Sequence, residues 1–597
     1  MTEKIVRIGG ASAFWGDSGV AAPQLVRRAQ VDYLMFDFLA EVTLSIMVNA
    51  RRRDPTKGYA GDFVTVAMAQ VLGEVKAKGI RVVANAGGMN PKGCVDALKA
   101  LAAEQGVDVK IAHVDGDDLL PQLETLREVR EMFSGVAMPE NIVSINAYLG
   151  ALPIARALRE GADIVVTGRC ADSAMALGPL IHEFGWASDD WDRLAAGTLV
   201  GHILECGAQA TGGLHTDWEK VERWDDIGYP IAECREDGIF VVTKPEGTGG
   251  LVTPATVGEQ LLYEIGDPAA YIVPDVVCDF RGVQITQAGK DRVEVRGCRG
   301  RPATSTYKVS ATYLDGWRVF GNLTIVGIDA VKKAERTAQA ILARTRTMFR
   351  ELNVGDYTET SIEILGGEQQ YGPHGRVRDA REVVMKLGVR HPDRRALEIF
   401  AREISPAGTS WAPGTTGNFG GGRPDPAPVV RLFSFLIDKG VARASVVIDG
   451  AASPVDIPRG AAHLPAPVAI AAVATAVVDP DAMTGPARLL DLVWARSGDK
   501  GDSANVGVIA RDPALMGVLR RELTPERVKH YFAHLVDGDV TRFDLPGFNA
   551  MNFLMTRALG GGGAASLRND PLAKGFAQML LDLEVNVPSS LTVRDQT

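Results

Sequence analysis

The first 190 residues alternate short β-branched runs with helical segments, and this alternation constrains the fold more than any other feature of the chain. The runs are Ile5–Ile8, Tyr33–Phe38, Arg81–Ala86, Val109–Val114, Ile142–Asn146 and Asp163–Thr167. Segments with apolar residues at 3–4 spacing lie between them, such as CVDALKALAAEQG and LETLREVREMF. Short strands alternating with amphipathic helices predict an α/β domain with a doubly wound, mostly parallel sheet. In such a sheet, ligands bind in the crevice beyond the carboxyl ends of the strands.

Those strand ends carry unusual residues. The first runs into Gly9-Gly10-Ala11-Ser12 and on to Phe14-Trp15-Gly16-Asp17. The second ends in Asp37 and Phe38, with Glu41 following, and the third in Asn85-Ala86-Gly87-Gly88. The fifth ends in Asn146-Ala147-Tyr148-Leu149-Gly150. The sixth belongs to ADIVVTGRCADSAMALG, Ala162 to Gly178, where a strand stops at Gly168. The turn Arg169-Cys170-Ala171-Asp172-Ser173 then opens a helix, with Asp172 or Ser173 the natural N-cap. A salt bridge plus a cap explains that turn taken alone. Five of six strands delivering Gly, Asn, Asp or Arg to one edge favours a ligand site there. A dinucleotide site is not expected, because Gly9-Gly10 does not continue into GxGxxG, and the chain has no GxxxxGK[ST] loop.

Further along, GHILECGAQATGGLHTDW (Gly201–Trp218) groups Cys206, Gln209, Thr211, Gly212, Gly213, His215 and Asp217. Amides around Gly207 and Gly212-Gly213 suit an oxyanion pocket, His215 an acid or base, and Cys206 either a nucleophile or a buried hydrophobe. No HxH or HExxH spacing occurs, so no metal site is expected. A second Gly-rich turn, KPEGTGGLVT, leads into a helix with start chemistry at Thr253, Pro254, Thr256 and Glu259. Residues 270–327 alternate apolar and polar as half-buried antiparallel strands do. Lys332–Leu352 reads as an amphipathic helix, and WAPGTTGNFGGGRP (Trp411–Pro424) as a candidate lid.

These patterns place a large domain over residues 1–450, a Pro/Ala-rich linker over 451–486 and a small α+β domain, ferredoxin-like, over 487–590. In the last, DLVWARSGDKGDSANVGVIAR sets Arg496, Ser497, Asp499, Lys500, Asp502 and Asn505 between apolar runs. This loop and Gly560–Gly563 either converge on one ligand or dock on the first domain.

Composition limits the partners. With 46% hydrophobic residues, 23% charged residues and a net charge of -10, the chain is ordinary globular material. It is unsuited to nucleic acid or anionic membranes. Six scattered cysteines without a CxxC pair suit a reducing compartment. MTEKIVRIGG lacks the form of a signal peptide, and Pro465–Val478 is too short and Pro-rich to span a bilayer, so a cytoplasmic protein is expected. A homo-oligomer, by default a dimer, is the expected assembly.

Several stretches taken together resemble the acyclic terpene utilisation family, the AtuA-like proteins of bacterial and fungal catabolism. They are RIGGASAFWGDS, MFDFLAEVT, NAGGMNP, INAYLG, VTGRCADSAMALGP, GHILECGAQATGG, GGLVTPATVGEQLLYEIGDP, WARSGDKGDSANVGVIAR and GGGGAASLR, which span essentially the whole chain. The resemblance implies a large N-terminal domain, a small ferredoxin-like C-terminal one, and a place in pathways that handle branched or terpenoid acyl-CoA thioesters. GGLHTDW stands where a less charged loop such as GGN is expected, which points to a difference in substrate choice.

The expectation that follows is a catabolic enzyme acting on a branched or terpenoid acyl-CoA, a lyase or hydratase that needs no cofactor beyond the coenzyme A of its substrate. Asp172 is the leading acid–base group, with Asp37, Glu41 and His215 as others and Cys206 as a covalent variant. Arg169 would hold an anionic substrate group and Asn85 or Asn146 polarise a carbonyl. Gly10, Ser12, Gly87, Gly88, Tyr148, Ser173, Gln209, Gly212, Gly213, Asp499 and Lys500 would complete the substrate site. The alternative is a noncatalytic acyl-CoA-binding subunit or scaffold of a carboxylase-containing pathway. Hydride transfer is disfavoured by the missing glycine fingerprint.

Overall fold

The computed structural model describes residues 4–588 except 41–42, 419–420, 465, 468 and 470–483. Glu41 therefore lies outside the described residues, as does most of Pro465–Val478.

The N-terminal strands are β1 (Ile5–Gly10), β2 (Tyr33–Phe36), β3 (Arg81–Ala84), β4 (Ile111–Asp115), β5 (Ile142–Ala147) and β6 (Ile164–Thr167), followed by β7 (Ile231–Arg235) and β8 (Phe240–Thr243). Five of them form a parallel centre in the order β1-β2-β3-β6-β4. Their side chains alternate between two buried faces. Tyr33, Met35, Val83 and Val165 pack on the core formed with helices Leu152–Arg159, Ala174–Phe184 and Trp191–Leu204. Leu34, Phe36, Val82, Ala84, Ile164 and Val166 face helices Ala21–Arg28, Ala69–Lys78 and Pro91–Gln105. Burial on both faces is why these strands read as continuous apolar runs.

The expected doubly wound, mostly parallel sheet is corrected in two respects. The sheet has eleven strands and is mixed. β7 lies antiparallel to β1, followed by β8 and the hairpin Arg292–Arg296/Gln284–Gly289, while Ser445–Ile448 and Ala451–Pro454 extend the other edge. The reversal at β7 follows from where the chain enters it: residues 205–230 sit at the carboxyl edge, and Gly10 donates its amide to Pro230 O at 2.9 Å, so β7 starts where β1 ends. Secondly, β5 is not in this sheet. It pairs antiparallel with the 21-residue strand Thr306–Val326, where Ser144 and Thr312 share a 2.6 Å hydrogen bond, because β4 occupies the place beside β6.

Thr306–Val326 is the spine of a second sheet that also takes in Glu359–Leu365, Glu382–His391, Thr415–Asn418 and Ala427–Asp438. Helices Ala330–Leu352 and Arg394–Glu403 cover it. The β-pattern of 270–327 is thus divided between sheets and is not a unit of its own. The segment LETLREVREMF forms only a 3-10 helix over Leu120–Leu126, and Met132 N then donates to Ser434 O on the second sheet at 2.8 Å. The candidate lid contributes the strand Thr415–Asn418, paired at Leu323–Ile325, the end of the spine remote from β5. That strand anchors it there.

The C-terminal domain is a four-stranded antiparallel sheet in the order Val493–Lys500, Ser503–Ala510, Ala550–Met555, Val540–Leu545. It docks on the helix Pro254–Leu262, whose capping box pairs Thr253 with Thr256. Gly507 permits this, since a Cβ there would overlap the side chain of Leu262. The fourth start residue read from the sequence, Glu259, has a different role. It is fully buried and accepts hydrogen bonds from His215 Nδ1 (2.8 Å), Thr216 Oγ1 (2.5 Å), Thr216 N (3.1 Å) and Arg496 Nη2 (3.0 Å). Arg496 also donates to Gln209 Oε1 at 2.5 Å and Gly213 O at 3.0 Å. Asp217 pairs with Arg511 at 2.5 Å and accepts from Trp494 Nε1 at 3.0 Å. Asn505 bonds Leu262 O, the Glu264 amide and Asn552. GGLHTDW and WARSGDKGDSAN therefore meet at the domain interface.

Burial pushes the Glu259 carboxyl up, but His215, Arg496 and Thr216 outweigh it and hold it below the ordinary value of 4.5. Its contribution to stability is therefore complete above that value and is lost as pH falls through the depressed folded value. Removing the guanidinium strands a buried carboxylate. Arg496→Met is expected to lower stability by about 3–5 kcal/mol, measured by urea denaturation at pH 7, and Arg496→Met with Glu259→Leu to recover most of it.

Candidate active site

β6 gives way to Gly168, where a Cβ would overlap Asp117 Oδ1. Asp117 reaches across from the end of β4, and its Oδ2 accepts from the Arg169 amide (2.8 Å) and from Asn146 Nδ2 (2.9 Å). Asn146 thus arrives at the β6 turn although β5 belongs to the other sheet. The turn carries the Arg169 side chain inward, 2% exposed. Its Nε donates to Cys170 O at 3.0 Å, Nη1 to Leu39 O at 2.5 Å and Nη2 to Asp172 Oδ1. One face of the guanidinium lies 4.5 Å from the ring centre of Tyr148, which Lys308 approaches at 5.1 Å.

Ser173 occupies the N-cap of helix Ala174–Phe184 with helical dihedrals and no side-chain cap, so capping does not account for Asp172. The Asp172 side chain is ion-paired with Arg169 and remains one-third exposed. It is the accessible acidic group of the turn.

Asp37 stands behind it at the end of β2. Its Oδ1 accepts from Asn85 Nδ2 (2.6 Å) and the Leu39 amide (3.1 Å), and the Ser12 hydroxyl donates to its backbone carbonyl at 2.8 Å. Burial pushes Asp37 well above the usual carboxylate range and the Asp172 charge acts the same way, with Arg169 and Asn85 offsetting part of it.

A third carboxyl, which the sequence reading passed over, completes the cluster. Glu205 follows helix Trp191–Leu204, whose end rests on β1 because Gly10 has no side chain: a Cβ would lie 2.5 Å from Leu204 O. Glu205 Oε1 is 3.0 Å from His202 Nδ1, and His202 Nε2 donates to Leu261 O at 3.0 Å. Glu205 Oε2 is buried with no hydrogen-bond partner among the described residues. Burial raises Glu205, His202 lowers it, Asp172 raises it and Lys500 lowers it, and the net shift is upward. For His202, burial opposes the imidazolium but the Glu205 charge and hydrogen bond outweigh it, so its net shift is also upward. The Asp172 charge acts on this pair through Glu205. The signal was present as His202 and Glu205 three apart on one helical turn, but the surrounding run GTLVGHIL reads as core.

The other sequence candidates divide by position. Asn85 and Asn146 are fully buried and hold Asp37 and Asp117, so neither faces a substrate carbonyl. The amides of Gly87, Gly88, Gly212 and Gly213 are already engaged and are not left for an oxyanion. Gly87 donates to Thr167 O and Gly88 to Asn85 O, while Gly212 donates to Gln209 O and Gly213 to Ala208 O. Gln209, Gly213 and His215 belong to the Glu259–Arg496 interface. Burial pushes the Cys206 thiol well up, and the charges of Glu205 and Glu264 act the same way, the reverse of what activates a nucleophile. Of the C-terminal pair, the Lys500 charge reaches His202 and Glu205, and the Asp499 charge reaches Tyr263. Among the described residues no group of three or more His, Cys, Asp or Glu is arranged to hold a metal ion.

Asp117 offers a direct probe of this edge. Burial raises its carboxyl to about 7, against the Arg169 amide and Asn146, which lower it. The folded state therefore favours the protonated form, and stability falls as pH rises from the ordinary carboxylate range through about 7. A gap of that size is worth on the order of 4 kcal/mol at most. Asp117→Asn is expected to flatten this decline, read as melting temperature between pH 5 and pH 8.

Comparison with known families agrees with the architecture. The model of the acyclic terpene utilisation family protein AtuA matches residues 6–448, and that of the AtuA ferredoxin-like domain matches residues 487–586. The chain belongs to the acyclic terpene utilisation family, with a mixed α/β N-terminal part and a ferredoxin-like C-terminal domain. No curated protein matches it. Among the described residues no helix is long and apolar enough to cross a membrane.

Proposed function

We propose that this member of the family catalyses proton transfer on a branched or terpenoid acyl-CoA thioester, as a lyase or hydratase that needs only the coenzyme A of its substrate. The observation that carries the reading is the carboxyl cluster: Asp172, accessible and paired with the buried Arg169, beside Asp37 and Glu205, both raised by burial. Neighbouring acids whose surroundings separate their proton affinities are what acid–base catalysis at neutral pH requires.

In this reading Arg169 does not bind substrate, since its donors are directed to Leu39, Cys170 and Asp172; it positions Asp172. The Asp172 carboxylate takes the proton from a substrate hydroxyl or an attacking water. In a retro-aldol cleavage the Cα–Cβ bond breaks and its electron pair passes into the thioester as an enolate. In a hydration a C–O bond forms at Cβ of an unsaturated thioester, the Cα=Cβ π pair passes into the thioester, and the enolate of the β-hydroxyacyl thioester results. The Glu205–His202 pair then delivers a proton to Cα, and the Lys500 charge beside it stabilises the thioester oxygen. The Gly-rich strand ends serve close packing rather than amide donation.

The test is mass spectrometry of the purified chain with short, branched and terpenoid acyl-CoA thioesters. A mass change of one water, or cleavage of the acyl chain, is the expected result. Asp172→Asn and Glu205→Gln are each expected to lower kcat by roughly 10²–10⁴-fold. Thermal stabilisation by a thioester without turnover would instead favour the noncatalytic acyl-CoA-binding subunit, and neither effect would end the acyl-CoA reading.

A further inference from the structure

The segment Asn146–Gly150 leaves the carboxyl cluster and ends at a cavity of about 510 Å³. Leu152, Ile181, Trp191, Leu194, Ile457 and Pro458 give it mainly apolar walls, and Asp189, Asp275, Tyr307 and Lys439 also line it. A volume of this size is that of a small-molecule site.

Lys439 follows the strand Ala427–Asp438 and is 5% exposed. Its ammonium donates to Pro274 O at 2.7 Å and lies 5.7 Å from the ring centre of Tyr307. Among the described residues it makes no ion pair. Asp275 is nearby, but both its oxygens accept from the Ala151 amide, at 3.0 and 2.9 Å, at the start of helix Leu152–Arg159. Gly150 makes that contact possible, because a Cβ there would crowd the same carboxylate at 2.5 Å. A buried ammonium with one recorded acceptor has N–H donors left for an anionic oxygen. Burial lowers Lys439 and raises Asp275, and the charge of each offsets only part of the other's shift.

We propose that this cavity binds a small carboxylic acid with an apolar body, the carboxylate received by Lys439 Nζ and the hydrocarbon by Leu152, Ile181, Trp191 and Leu194. The walls exclude a strongly hydrated ligand, the ammonium excludes an amine, and Asp275 disfavours a dianion such as phosphate. The inference does not depend on the acid–base reading of the Asp172 cluster.

Isothermal titration of the full chain with octanoate, 1-octanol and inorganic phosphate tests it. Octanoate is expected to bind about tenfold or more tightly than octanol, as a charge-assisted hydrogen bond in a dry site requires, and phosphate not at all. Lys439→Met should remove the preference for the acid, and Leu152→Trp, which fills the cavity, should weaken both ligands. Equal affinity for octanoate and octanol, binding of phosphate, no octanoate binding, or octanoate affinity unchanged in Leu152→Trp would overturn the proposal. The Leu152→Trp measurement decides the matter even where Lys439→Met does not fold.

Discussion

The Arg169 guanidinium is the interaction on which the candidate site depends. A cation held at 2% exposure is tolerated only when its donors and charge are matched, and Arg169 is matched by carbonyls of Leu39 and Cys170, the Asp172 carboxylate and the Tyr148 ring. These partners come from the ends of β2, β5 and β6 and the turn after β6. Their convergence ties two sheets together at one edge: β5 reaches Arg169 through Tyr148, and Asp117 through Asn146, from within the second sheet. The same charge offsets part of the cost of placing Asp37 and Asp172 together. Without it, Asp37 and Asp172 would stand together at the strand edge with no cation between them.

The second constraint is the docking of the ferredoxin-like domain. Its charged contacts toward the helix Pro254–Leu262 and the loop GGLHTDW are made at Glu259 and Asp217, each met by an arginine of the C-terminal domain, and Arg376–Asp582 and Asn569–Glu363 tie it to the second-sheet side. That docking carries Lys500 to a position where its charge acts on His202 and Glu205. The motif WARSGDKGDSAN therefore has two roles in one strand and turn. Arg496 and Asn505 hold the domains together, and Lys500 completes the electrostatics of the cluster. The loop GGLHTDW, which looked like a determinant of substrate choice, belongs to the holding role.

Legibility followed local physics. Glycines and polar residues at strand ends mark the carboxyl edge, so Asp37, Arg169 and Asp172 were found in the sequence. The parallel centre was legible too, because strands buried on both faces must be apolar throughout. Glu205 and His202 were not, since a buried acid–base pair inside an apolar helix looks like two interruptions of a core pattern. The amides of Gly212 and Gly213 were misread for the opposite reason. Glycine signals close approach or a special turn, and composition does not say whether its N–H is left over.

The sequence by itself determined the α/β class of the N-terminal part, the separate C-terminal domain, the family and the edge where chemistry-bearing residues gather. All of these rest on periodicity, turn residues and motifs that act over a few neighbours. Tertiary structure alone decided that β5 leaves the first sheet, that β7 and its successors make that sheet mixed, and that His215 pairs with Glu259 at an interface while Glu205 pairs with His202. Those outcomes depend on which distant segment supplies a partner for each hydrogen bond and charge. Glu259 and Arg496 stand 237 positions apart and His202 and Glu205 three apart, and only the folded chain decides which carboxyl is neutralised and which retains an unpaired oxygen.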